Sequence, residues 1–219
     1  IDNIDIETAT QQGILVFNTP AGNTVAAAEH TITLMLALSR HVLPAGISLR
    51  NGEWSRKHFM GGELYRKTFG IIGVGRIGSE VIRRLQAFGM AIIAYDPYIS
   101  VEAAERLGIK LVERENLLQE ADYISIHVPL TPETHHSISS REFRLMKSNC
   151  RLINCARGGI IDEEALYVAL KEKQIASAAL DVFEHEPPTD YRLMALDNFL
   201  ATPHIGASTS EAQELVAIE

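Results

Sequence analysis

From residue 68 onward, short apolar runs alternate with amphipathic ones. The runs at 68–74, 91–96, 110–112, 123–128, 151–155, 178–182 and 199–201 are nearly continuous in apolar residues, as strands are when both faces of their sheet are covered. Segments 77–87, 101–107, 115–120, 141–146 and 163–173 carry their apolar residues at helical spacing. This regular alternation predicts a doubly wound α/β architecture, a parallel sheet with helices on both faces. Upstream the pattern changes. After Pro20, "AGNTVAAAEHTITLMLALSRHV" offers Asn23 or Thr24 as an N-cap and no proline until Pro44. It is apolar around most of its circumference, which predicts a long buried helix acting as a connecting spine or an oligomer interface. Residues 51–67, with Asn51-Gly52 and Gly61-Gly62, read as loop. The opening "IDNIDIETATQQGILVFNTP" reads as a short helix and then a strand, as if entered in the middle of a domain, and a fragment is expected.

Composition narrows the functions open to such a fold. A length of 219 residues suits one sizeable domain, or one plus part of another. The formal net charge of −8 argues against a nucleic-acid partner. No apolar stretch approaches the ~20 residues that span a bilayer, and no signal peptide is seen, so neither a membrane partner nor export is expected. The two cysteines, Cys150 and Cys155, lie on one predicted strand at a spacing that points them to opposite faces. Free thiols in a reducing cytoplasm are expected, and no histidine or cysteine spacing suggests a metal site.

The first chemical signal is "GVGRIG", which places Gly73, Gly75 and Gly78 in G-x-G-x-x-G spacing between a predicted strand and a predicted helix. The first glycine permits a tight turn, the second lets backbone approach a pyrophosphate, and the third lets helix pack on strand. Arg76 and Ile77 open the helix, whose N-terminal dipole favours phosphate. The next strand ends at Asp96, 18 residues beyond Gly78, near the ~20 expected of an acid on an adenosine ribose. No arginine follows it to receive a 2′-phosphate. NAD is therefore expected over NADP.

In a doubly wound sheet, ligands lie outside the C-terminal strand ends. There the sequence places His127 and Pro129, then Arg157 before Gly158-Gly159, then Asp181 and Glu186, and last His204. The set suits hydride transfer from a hydroxy acid: arginine for the carboxylate, histidine for the alcohol proton, and a carboxylate to orient the histidine. Asp181 could hold the nicotinamide amide. His135 and His136 read as a solvated loop, and His30 as a satisfied packing residue of the long helix.

With these stretches in view, the chain closely resembles the D-isomer-specific 2-hydroxyacid dehydrogenases. The matching segments are "NTPAGNTVAAAEHTITLMLALSR", "GIIGVGRIGSEVIRRLQAFGMAIIAYDPY", "INCARGGIIDEEAL", "ALDVFEHEPP" and "TPHIGASTSEAQ". The resemblance implies an NAD-binding Rossmann domain over 21–206 that includes the long interdomain helix. It implies a remnant of a flavodoxin-like substrate domain over 1–20 and the start of a return to that domain over 207–219. It makes Arg157, Glu186 and His204 the catalytic set. Cofactor contacts are implied at Gly73, Gly75, Arg76, Ile77, Gly78, Asp96, His127, Val128, Pro129, Cys155, Ala156, Arg157, Asp181, His204, Gly206 and Ala207. Close relatives often have threonine where Val128 stands, so one hydroxyl near the cofactor is missing here. "TPHIGASTSEAQ" and "NGEWSRKHFMGGEL" look most like the branch acting on phosphoglycerate. The function this implies is NAD-dependent oxidation of 3-phospho-D-glycerate to 3-phosphohydroxypyruvate, the first step of serine biosynthesis. Glycerate/glyoxylate or lactate as substrate, or an NADH-sensing corepressor-like binding protein, are the alternatives. In similar dimers the region of Arg56 and Lys57 reaches the partner's site, where these cations could meet a substrate phosphate. A homodimer through the 24–41 helix region is expected.

Overall fold

The computed structural model of the protein describes residues 4–19 and 21–218. Seven strands, β1 (Thr68–Ile72), β2 (Ala91–Tyr95), β3 (Lys110–Leu111), β4 (Tyr123–Ile126), β5 (Arg151–Asn154), β6 (Ser177–Leu180) and β7 (Phe199–Ala201), join in one sheet. Their order is β3-β2-β1-β4-β5-β6-β7, and every pairing is parallel. The chain therefore starts mid-sheet, winds outward through β2 and β3, then returns to β4 and winds the other way. That reversal leaves a crevice between the C-terminal ends of β1 and β4.

Alternation along the strands sorts side chains into two layers. One face carries Ile124, Ile126, Leu152 and Leu180 against Leu117 and Leu118 of α6 (Arg114–Glu120), Phe143 of α7 (Ser140–Leu145), and Leu166 and Leu170 of α8 (Glu163–Lys171). The other carries Phe69, Ile71, Tyr123 and Ile153 against Ile32, Leu34 and Met35 of α2 (Thr24–Arg40) and Val81, Ile82 and Leu85 of α4 (Arg76–Ala87). Burial of side chains this large contributes about 1.5–3 kcal/mol each relative to exposure. Local caps fix where the helices begin. Asp162 accepts from the Ala165 N–H at 3.0 Å, and Ser139 with Glu142 forms a reciprocal capping box.

All seven predicted strands form, several one or two residues shorter than the apolar runs, because the last residues of each run bend into the crevice. The predicted interstrand helices form as well, including the short α5 (Val101–Arg106). Three expectations are corrected. First, residues 14–19 after α1 (Ile6–Gln11) make no strand: no neighbour among the described residues supplies a ladder, and Leu15 and Phe17 stand about four-fifths exposed. The boundary placed at Pro20, like Ile1 and Glu219, lies outside the described residues. Second, a further helix, α3 (Val42–Arg50), follows α2 at a 63° bend. His41 takes the left-handed conformation at the joint, and Pro44 sits in the first turn of α3, where its missing N–H costs nothing. Third, the 51–67 loop holds a 3-10 turn at Arg56–Phe59. No single helix among the described residues is long and apolar enough to cross a membrane. The helix α9 (Ser210–Ile218) closes the described chain, and Val216 packs onto Gly22.

Candidate functional site

The turn after β1 is built for close approach. Gly73 has φ +95°, and a Cβ there would lie 2.5 Å from the His127 carbonyl oxygen. A Cβ on Gly78 would lie 2.4 Å from the Gly73 carbonyl oxygen, so the helix can only pack this closely with glycine. Gly75, the N-cap of α4, is different: a Cβ there meets nothing within 4 Å. The space over Gly75 is open, beside the N-terminus of the helix that Arg76 and Ile77 begin. Asp96 ties the turn down. One carboxylate oxygen accepts from the Val74 N–H at 2.7 Å and the other from the Tyr98 N–H at 2.8 Å.

Across the crevice, His127 leaves β4 with Nε2 2.9 Å from the Ser125 hydroxyl. Burial pushes its pKa down to about 4, so the ring is neutral at neutral pH. Val128 and Pro129 continue this wall. The loop after β5 is held by Asn154, buried, whose Oδ1 accepts from the Ala156 N–H and whose amide donates to the Arg157 carbonyl, both at 2.9 Å. Cys155 lies under this loop, and burial pushes its thiol up to about 12. Gly158 presses directly against the loop after β6: a Cβ would come within 1.8 Å of the Phe183 carbonyl oxygen.

That contact delivers Glu186. Its Oε1 accepts from the Phe183 N–H at 3.0 Å, and its Oε2 meets His204 Nδ1 at 2.6 Å. His204 sits at φ +53° in the turn after β7, with half its side chain exposed. Nδ1 is the nitrogen held, so Nε2 is the one available to a substrate. Asp181 lies fully buried beneath, its Oδ2 accepting from the Gly206 N–H at 2.7 Å.

Two cavities share the His127–Val128–Pro129 wall. One of about 260 Å³ is lined by Ile77, Cys155, Ala156, Arg157, Asp181, His204, Gly206 and Ala207. The other, of about 460 Å³, is lined by Gly73, Gly75, Asp96 and Tyr98. An elongated ligand with a diphosphate at its middle would lay that group over Gly75 and the α4 N-terminus, with one end at Asp96 and the other at His204. The open cradle at Gly75 fits a dinucleotide.

Asp96, His127, Pro129, Arg157, Asp181 and His204 thus line two cavities with a common wall, while Glu186 lines neither and reaches the smaller one through His204. Arg56 and Lys57 are elsewhere, exposed around a separate open depression with Trp54 and Met60 that shares no lining residue with the crevice. His136 is not simply solvated: its Nε2 pairs with Glu184 at 2.7 Å, and it stacks on His135. Sequence reasoning missed Asn154, whose signal was its place directly before the loop it knits. It also missed Thr202, which donates to Asp181 at 2.6 Å. The described residues contain no group of three or more His, Cys, Asp or Glu side chains that could hold a metal.

Residues 32–206 match the family described as D-isomer specific 2-hydroxyacid dehydrogenase, NAD binding domain. The D-3-phosphoglycerate dehydrogenase of Methanocaldococcus jannaschii is 56% identical over 215 residues, which is 98% of this chain and 41% of that protein. That of Synechocystis sp. is 51% identical over 219 residues, all of this chain and 40% of that protein. The chain spans about two fifths of the length of the curated relatives it matches. Among solved structures, a glyoxylate reductase from Paecilomyes thermophila superimposes with a TM-score of 0.91 at 38% identity, over 99% of this chain and 66% of that one. The D-lactate dehydrogenase of Escherichia coli does so with a TM-score of 0.90 at 38% identity, over 100% and 68%.

Proposed function

The chain belongs to the D-isomer-specific 2-hydroxyacid dehydrogenase family through its NAD-binding domain, and from that premise we propose that it supplies the cofactor-handling and proton-handling part of an NAD-dependent oxidoreductase. The domain limits in this reading are 21–206 for the cofactor domain, with 1–20 and 207–219 belonging to a substrate domain. The observation that carries the proposal is the His204–Glu186 pair at 2.6 Å, on the cavity that Arg157 also lines. Arg157 binds the substrate carboxylate with its planar, doubly donating guanidinium. His204 takes the 2-hydroxyl proton at Nε2, and Glu186, held by the Phe183 N–H, fixes the ring and stabilises the imidazolium. Gly75, Asp96 and Asp181 would hold NAD, which would supply the hydride acceptor for C2 of the substrate. Asp96 turns away a 2′-phosphate, which favours NAD over NADP.

The substrate proposed is 3-phospho-D-glycerate, oxidised to 3-phosphohydroxypyruvate at the entry to serine biosynthesis. Three relatives above 50% identity carry the name of that enzyme. Arg56 and Lys57 are proposed to reach the substrate phosphate across a homodimer formed through the 24–41 region. A cytoplasmic setting agrees with the two free thiols, Cys150 and Cys155.

Calorimetric titration of the chain with NAD and NADP tests the cofactor half: micromolar NAD binding, with NADP weaker by tenfold or more, is expected on the order of a repelled charge. Absence of NAD binding overturns it. NADH formation by the whole gene product from 3-phospho-D-glycerate, D-glycerate and D-lactate tests the substrate half. Preference for either unphosphorylated acid would reassign the substrate, and turnover surviving His204→Ala would remove the proposed base.

A further inference from the structure

The floor of the smaller cavity is wired to α2, the helix that also lines it at Ala27. His30 lies on α2, with 14% of its side chain exposed, and its Nε2 sits 3.1 Å from Thr202 Oγ1 and 3.2 Å from Asp181 Oδ1. Thr202 donates to the same Oδ1 at 2.6 Å, and the Ile205 N–H does so at 2.9 Å. Oδ1 is therefore surrounded by three donors. Among the described residues Oδ2 receives only the Gly206 N–H, and a carboxylate oxygen accepts about two hydrogen bonds. One acceptor position of Oδ2 is left over, on a residue that lines the cavity.

We infer that His30 is a positioning residue: with Thr202 and Ile205 it saturates Oδ1 of Asp181 and so presents Oδ2 to an amide N–H donor in the cavity. This rests on the reading above, in which that donor is the carboxamide of the nicotinamide ring. The Nε2–H tautomer of His30 is the one required, its hydrogen shared between Thr202 Oγ1 and Asp181 Oδ1. Burial raises the Asp181 pKa, yet the hydrogen bonds from His30, Thr202, Ile205 and Gly206 outweigh it and hold the carboxyl below its ordinary value. The acceptor is thus an ionised carboxylate. Ile205 and Gly206 directly follow His204, so the same carboxylate also anchors the turn that carries the proposed base.

Three probes separate this role from a general structural one. They are NAD, its 3-acetylpyridine analogue, which lacks the carboxamide N–H donors, and ADP-ribose, which lacks the nicotinamide. The wild-type chain should bind NAD about tenfold more tightly than the analogue, the worth of one hydrogen bond to a charged group. In His30→Leu that preference should shrink to about twofold or less, while ADP-ribose binds within about twofold of wild type, and His30→Gln should regain part of the preference. Should His30→Leu fail to fold, Thr202→Val removes the same bridge and should give the same pattern. A preference that persists in these variants, or an equal loss of all three probes, overturns the inference. ADP-ribose and NAD both failing on the wild-type chain would instead overturn the cofactor reading, and the inference with it.

Discussion

Gly158 shows how much of the crevice depends on a missing side chain. Its Cα approaches the Phe183 carbonyl so closely that a Cβ would fall 1.8 Å from the oxygen. The same Phe183 N–H orients Glu186, which orients His204. Gly158→Ala should therefore push the two loops apart, lowering the melting temperature by several degrees, as about 1–3 kcal/mol of overpacking would. Calorimetry should show weaker NAD binding in the same variant. His127 supplies a pH prediction at this scale. Its pKa is about 4 in the fold against an ordinary 6.5, so between those values the unfolded chain binds more protons and stability rises with pH. The contribution is complete above about 6.5 and fades as pH falls toward 4. Thermal melts across this range should show that slope, and it should flatten in His127→Gln.

Individual residues were legible to different degrees. Gly73, Gly75 and Gly78 could be read directly, since spacing and flanking pattern are both local. Asn154 and Thr202 could not, because their partners are set by loop conformation and by packing across the sheet. His30 was read correctly as a satisfied helix residue, but the identity of its partner, Asp181, 151 positions away in the chain, lies beyond any periodicity argument.

Among the elements, strands were legible because burial on both faces writes continuous apolar runs. Their ends were less so, since the same residues that finish a run also line the crevice. Helix α3 escaped notice because Pro44 and Gly46 are poor helix formers, and only position excuses the proline. The apolar circumference of α2 suggested an interface, but most of it is consumed internally, by the sheet face around Phe69 and Ile153. Between residues 24 and 60 the large apolar side chains left exposed are instead Val25 on α2, Val42, Leu43, Ile47 and Leu49 on α3, and Trp54 and Met60 beyond. The proposed dimer through 24–41 is expected to extend over this adjoining apolar strip, so Ile47→Asp with Leu49→Asp should yield monomers by light scattering at micromolar concentration, with unchanged circular dichroism. At the opposite rim of the sheet, Asp122 accepts from the Thr68 N–H at 2.9 Å and from Lys147 at 3.1 Å. Burial raises its pKa, but these bonds, with Asn149, bring the net value below the ordinary one. Its support is present above the unfolded carboxylate range and is lost as pH falls through the lowered value. Asp122→Ala should cost about 2 kcal/mol in urea unfolding at pH 7.

For the whole molecule, binding and folding are linked. A ligand at a hundred times its dissociation constant adds about 2.7 kcal/mol to stability, which for a chain of this size raises the melting temperature by roughly 5–10 °C. NAD should produce that shift, and ADP-ribose most of it if the dinucleotide lies as proposed. The two cavities bear on this through their common wall. Residues 127–129 border both, and His127 pins that segment to Ser125. A molecule filling one compartment therefore stands beside the vacant other at a high effective concentration for whatever is tethered to it. The two ends of a dinucleotide, each weak as a separate fragment, would bind as a linked pair whose affinity exceeds what either end achieves alone.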